Sequence, residues 1–245
     1  MRGDAEPFSL ASEAYGIVRQ RILRGELALG QVISRRKLAA ELGMSFLPVS
    51  EALLRLEFEG LLESRPRAGT RVRIPSREDV RGHYILREAL EVQAAMLFAE
   101  VATTEERAEL QRLAARVDAM SVQTERTVYL SLHEKLHHRI AECSRCPTLC
   151  EAIEKTHALA STWFCVTRPF SPDAPPRRHQ DLIEILSTGN PAKAAEAMRQ
   201  HVAMSRQNTM ERLKPYFRLR KAYGNTFYRS DKRHKEQLRE SSRVN

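Results

Sequence analysis

Apolar residues recur at helical spacing almost from the start of the chain. Leu10, Ala14, Ile17, Val18 and Ile22 line one face of a helix predicted from about Ser9 to Arg24. Gly25 stops it, and the stretch ELALGQVIS reads as a short turn. Ser34 caps a second helix, RRKLAAELG, which Gly43 ends. Ser45 caps a third, whose Val49, Leu53, Leu54 and Leu56 face inward and which Gly60 terminates. There the period shortens: LLESRPRAGTRVRIP has short β-capable runs on either side of a turn containing Pro66 and Gly69, the signature of a two-strand hairpin. Pro75 and Ser76 form a hinge.

Beyond Ser76 the hairpin signals vanish. Amphipathic helices are predicted over roughly 77–101, 104–121, 125–143, 147–167, 173–188 and 191–213. The short loops between them suit antiparallel neighbours in a bundle. After Lys214, Tyr, Phe and many charges follow without a stable period, which predicts a mobile arm. The expected fold class is therefore mostly α: an N-terminal winged helix-turn-helix over 1–75, an all-α helical bundle effector domain over 76–213, and a basic tail over 214–245.

Composition narrows the picture. Hydrophobic residues make up 42% of the 245, enough to bury a core, and only 6% are aromatic. No apolar stretch approaches the roughly 20 residues that span a bilayer, so no membrane association is expected. MRGDAEPFSL is acidic and lacks an apolar segment, unlike a secretory signal, so a cytoplasmic location with four reduced cysteines is expected. The net charge is +9, but +7 of it lies from Lys214 onward. Overall basicity is thus no argument for DNA binding, and a motif has to carry that.

Two short helices joined at Gly43 and followed by a Gly-bearing hairpin have the arrangement of a winged helix-turn-helix. The third helix would offer Ser45, Phe46, Leu47 and Ser50 to a major groove. The hairpin carries Arg65, Arg67, Arg71 and Arg73, placed to follow phosphates or enter a minor groove, with Gly69 at its turn. Spacing alone fits a helical subdomain with a basic loop equally well. The string ILRGELALGQVISRRKLAAELGMSFLPVSEALLRLEFEGLLESRPRAGTRV, however, is similar to the DNA-binding domain of the GntR family across Tyr15 to Pro75. It is similar to that family's I-x-x-G-x-x-x-x-G, L-A-x-x-L-G-V-S, P-V-x-x-A-L-x-x-L and G-L-x-x-x-x-x-x-G-x-x-V patterns. The resemblance implies a double-stranded DNA operator and a homodimer. Departures fall where DNA is read: Phe46 and Ser50 stand where the family usually has Arg, and Arg35 replaces an acidic residue, while Arg36 keeps the family's arginine. Losing two guanidinium groups removes the best bidentate partners for guanine, so an atypical operator is expected, with Arg35, Lys37 and the wing compensating.

Four of the eight histidines form a second constellation. His133 and His137 are four apart on one predicted helix and share a face; His179 and His201 lie on two later helices. Facing helices of bundles build metal sites this way, although a lone helical histidine is more often a surface or hydrogen-bonded core residue. The strings YILREALEVQAA, LHEKLHHRIAECSRCPTL and RHQDLIEILSTGNPAKAAEAMRQHV resemble the helical ligand-binding FCD domain of the FadR branch. The resemblance implies a metal set of Asp, His four residues on, and two further His. His137, His179 and His201 match the histidines, and His133 stands in the Asp position. It also implies a carboxylate effector bridging to the metal with help from an Arg, matched by Arg87. An all-imidazole set suits zinc, nickel or iron as the divalent ion and favours an anionic effector. Apart from the resemblance, Arg87 reads as a surface ion pair with Glu91, four residues on. Cys143, Cys146 and Cys150 lack a second pair at zinc-knuckle spacing and read as packing residues.

The sequence therefore reads as a ligand-responsive transcriptional regulator and not an enzyme. The alternative is a metal-dependent enzyme using the histidine cluster, but no nucleophile motif or general base accompanies the four ligands. A third class is a scaffold whose basic tail binds nucleic acid without specificity.

Overall fold

The computed structural model describes residues 9–65, 69–120, 126–166 and 177–241. It begins with α1 (Leu10–Leu23), β1 (Val32–Ile33), α2 (Arg35–Leu42), α3 (Phe46–Phe58), β2 (Leu62–Arg65) and β3 (Gly69–Val72). α1 packs on α3 over a core of Ala14, Val18, Ile22, Val49, Leu53 and Leu56, each at most 2% exposed. Ser34 caps α2 by accepting from the Lys37 N–H, and Gly43 ends it at φ 63°, a left-handed conformation that glycine adopts without strain.

The wing is a three-stranded antiparallel sheet in the order β1-β3-β2. This corrects the sequence expectation of a two-strand hairpin preceded by a turn. β1 pairs Val32 with Arg71 and Ile33 with Thr70. A two-residue strand is too short to display a period of two, and its partner lies almost forty residues away. Gly30 leads into it at φ 82°, and a Cβ there would approach Ile74 Cδ1 to 2.9 Å.

The rest is helical: α4 (Arg77–Val101), α5 (Thr104–Ala119), α6 (Arg126–Cys143), α7 (Pro147–Val166), α8 (Arg178–Leu186) and α9 (Pro191–Ser241). Capping boxes at Ser76/Asp79 and Thr103/Glu106 start α4 and α5. α4 packs along α9, and the Tyr84 and Thr209 hydroxyls, 2.8 Å apart, join them within the core. Arg107 donates to the carbonyls of Ala99, Ala102 and Ser187, satisfying the C-terminal ends of α4 and α8 together.

The last helix continues to Ser241, whereas the sequence predicts an end near 213 and an irregular arm. Pro215 is the physical reason for the difference. A proline lacks the N–H of a helix interior and reads as a stop signal, but packing carries the helix through it. Leu213 and Phe217 are buried, Arg77 lies over the Phe217 ring at 5.0 Å, and Arg220 donates to the Ile74 carbonyl and to Asp79.

Candidate DNA-reading surface and metal centre

The DNA-reading candidates divide by what they touch. Arg36, Lys37, Ser45 and Phe46 are exposed, as is Leu47, so the α2 N-terminus and the start of α3 both form open surface. Arg35 is instead a strut: its guanidinium donates to Thr70 Oγ1 (3.1 Å) and to Ser64 Oγ (3.5 Å), tying α2 to the wing. Arg71 pairs across the strands with Glu63 at 2.6 Å. The Ser50 hydroxyl oxygen is buried without a hydrogen-bond partner, so it faces away from this open surface. Gly69 takes φ 77° at the exposed start of β3. Arg67 lies outside the described residues.

The four histidines come together in the bundle. The ring centroids of His133 and His137 are 4.6 Å apart, His133 and His179 5.1 Å, His137 and His201 5.2 Å, and His179 and His201 5.3 Å. Ligand atoms of His133, His137 and His201 all lie within 4.8 Å of one another. Helix geometry explains the closest pair, since residues four apart on α6 stack on one face.

Two carboxylates lie against the rings. Asp118, at the end of α5, accepts from the backbone N–H groups of His179 and Gln180 and lies 2.6 Å from His179 Nδ1. It thereby caps α8 from another helix and holds His179 at once. Burial raises the Asp118 pKa, but those hydrogen bonds outweigh it and keep the carboxyl below its usual range. On the other side, Glu91 Oε2 lies 2.8 Å from His137 Nδ1, while its Oε1 lies 2.6 Å from Arg87 Nε and 2.9 Å from His157 Nε2. Burial raises the Glu91 pKa as well, yet Arg87 and the two histidines hold it well below the carboxylate range.

An ionised carboxylate only accepts, so Nδ1 of His179 carries the proton and its Nε2 keeps its lone pair, whereas Glu91 lies beside His137 Nδ1 without hydrogen-bond geometry, and both ring nitrogens of His137 lack a hydrogen-bond partner. The Nε2 atoms of His137, His179 and His201 are buried without a hydrogen-bond partner. Burial, reinforced for His133 and His201 by neighbouring charged groups, pushes both pKa values well below 6.5; His179 is lowered, and His137 falls to about 4. Neutral imidazole is the form that binds metal. Desolvated, unpaired nitrogen lone pairs on clustered rings are costly alone and fit a soft divalent cation.

Sequence reasoning did not find Glu91's role, His157, Asp118 or Arg178. The Arg87–Glu91 pair read as a surface contact is buried, with side chains 4% and 3% exposed. Only its i, i+4 spacing was visible in sequence; His157 and Asp118 gain meaning only through helices brought together by the fold. His157 also lines a cleft of about 930 Å³ whose other wall includes Tyr15, Arg55, Phe58 and Glu59 of the N-terminal module. His138, one position off the ligand register, faces Glu142 instead and is 40% exposed. Among the described residues, the two groups able to hold a metal are His133, His137 and His201, and Glu91, His137 and His157, and neither includes a cysteine.

Comparison with known proteins follows the same division of the chain. Residues 10–72 match the description "Bacterial regulatory proteins, gntR family", and residues 83–204 match the FCD domain. The HTH-type transcriptional regulator YieP of Escherichia coli is 30% identical over 165 residues, covering 59% of this chain and 72% of that protein. A Paenarthrobacter nicotinovorans protein named as the probable repressor of a D-xylose utilization operon is 29% identical over 202 residues, covering 80% and 86%. A GntR regulator structure from Rhodococcus sp. RHA1 shares the fold with a TM-score of 0.69 at 22% identity, over 82% of this chain and 97% of that one.

Proposed function

The chain belongs to the gntR family of bacterial regulatory proteins, a transcriptional regulator with an FCD domain, and from that premise we propose that a small anion bound beside a histidine-held metal controls its grip on DNA. The observation that carries this reading is the set of buried, unpaired Nε2 atoms of His137, His179 and His201 in one cluster of imidazoles. His133, His137, His179 and His201 would hold a zinc, nickel or iron ion, which supplies a positive centre for a carboxylate. Asp118 fixes the His179 ring, Glu91 sets a negative charge beside His137, and Arg87 offers its buried, unpartnered Nη2 to the same anion. The protein acts as a homodimer on a two-half operator in the cytoplasm. Catalysis is not part of this reading: the carboxylates beside the ligands are committed to orienting imidazoles or to Arg87.

The DNA-binding half is tested on Arg36 and Lys37, the exposed cations at the α2 N-terminus. Changing both to Ala should weaken binding to an operator selected from random DNA by about tenfold or more. The slope of affinity against salt should fall by about 1 for each phosphate no longer neutralised. Unchanged affinity and slope in fluorescence anisotropy titrations would remove these residues from the interface.

Coupling runs along α9. It carries His201, and nineteen residues on, roughly 28 Å along the helix axis, Arg220. Arg220 reaches the Ile74 carbonyl at the end of the wing and Asp79 at the start of α4, where Arg73 also pairs at 3.0 Å. Any shift of His201 on binding is therefore delivered to the junction with the DNA-reading module. Arg220→Ala should retain operator binding while losing most of its response to the anion. A variant that responds as the wild type does would exclude this route.

A further inference from the structure

The cluster holds a second guanidinium that the family pattern does not account for. Arg178 opens α8, next to His179. Its Nη2 donates to Ser205 Oγ at 2.6 Å and to the His201 carbonyl at 3.3 Å, which fixes the side chain against α9 beside two of the four imidazoles. Its Nε is buried and has no hydrogen-bond partner. Among the described residues no carboxylate forms an ion pair with it; Asp118, the nearest in charge, is committed to His179 and Gln180. Across the cluster, Arg87 likewise keeps a buried, unpartnered Nη2, although its charge is balanced by Glu91.

The charges differ from those of the usual ligand set. With His133 in the place of an Asp, four neutral imidazoles bring no negative charge to a divalent ion, and Arg178 adds a positive charge of its own. A monocarboxylate would leave this interior with surplus positive charge and an unpaired buried N–H, and both are costly. We propose that the effector is a small dianion of the dicarboxylate class, with one carboxylate at the metal and Arg87, and the other read by Arg178. This rests on the metal-and-anion reading above and adds a specificity-determining residue to it.

The test compares succinate with butyrate, which share a four-carbon chain and differ in the second carboxylate. Binding is measured by isothermal titration calorimetry on the full-length, zinc-loaded protein, with zinc content determined on the same sample. The wild type should prefer succinate by at least about tenfold, the worth of one charge-assisted hydrogen bond. Arg178→Gln should bring the two ligands within about twofold of each other with zinc still bound, and Arg178→Lys should keep part of the preference. Equal affinities in the wild type, or an unchanged ratio in Arg178→Gln, would overturn the proposal while a normal zinc content left the metal reading standing. A wild type that retains no zinc would overturn both.

Discussion

His201→Ala should lose bound metal and heat stability together. The wild type, purified without a histidine tag, should carry divalent metal by elemental analysis, and the variant close to none. Loss of an ion present at a thousand times its dissociation constant removes about 4 kcal/mol of stability. For a chain of this size that is a fall in Tm of about 8–16 °C. His201 is buried, so truncation also leaves a cavity, and a chelator separates the two effects. Chelation should lower the wild-type Tm substantially and leave the variant where it was. His133→Asp, which restores the family's usual ligand set, should retain metal. Equal metal content in wild type and His201→Ala would return the four histidines to ordinary core residues.

Truncation after Glu211 should destabilise the helical domain severely. The sequence reads this segment as dispensable, but Leu213 is fully buried, Phe217 is 8% exposed under Arg77, and Arg220 ties α9 to Ile74 and Asp79. Removing a buried Leu costs about 2–5 kcal/mol and a buried Phe about 3–5. A combined loss of about 5 kcal/mol or more rivals the whole stability of many domains. The expected fall in Tm is about 10–20 °C by circular dichroism, whereas truncation after Arg220 keeps these side chains in place and should cost far less. A Glu211 truncation melting within about 2 °C of the full chain would show that these side chains contribute nothing beyond surface residues.

The contrast between those two sites shows what was legible in the sequence. α4, α6 and α7 announce themselves through amphipathic spacing, and their observed limits fall within a residue or two of the expected ones. His133 and His137 could be placed on one face from spacing alone; His179 and His201 joined them as a candidate set on later helices, and the family resemblance matched three of the four to a ligand pattern. What stayed hidden depends on distant partners. β1 exists only because β3 lies beside it, and α9 passes Pro215 only because Leu213 and Phe217 find a core. Asp118 reads as one more helical carboxylate until the fold sets it against the N-terminus of α8. Arg178 is inconspicuous in sequence; the packing of α8 on α9 buries its Nε.

The most direct test of ligand-controlled DNA binding is operator affinity, measured by fluorescence anisotropy at fixed salt on the zinc-loaded full-length protein, with and without saturating succinate. Control by the anion predicts a change of at least about fivefold, the lower range of allosteric coupling, in the wild type and no change in His201→Ala. Operator affinity in the wild type that is the same with and without the anion would contradict it.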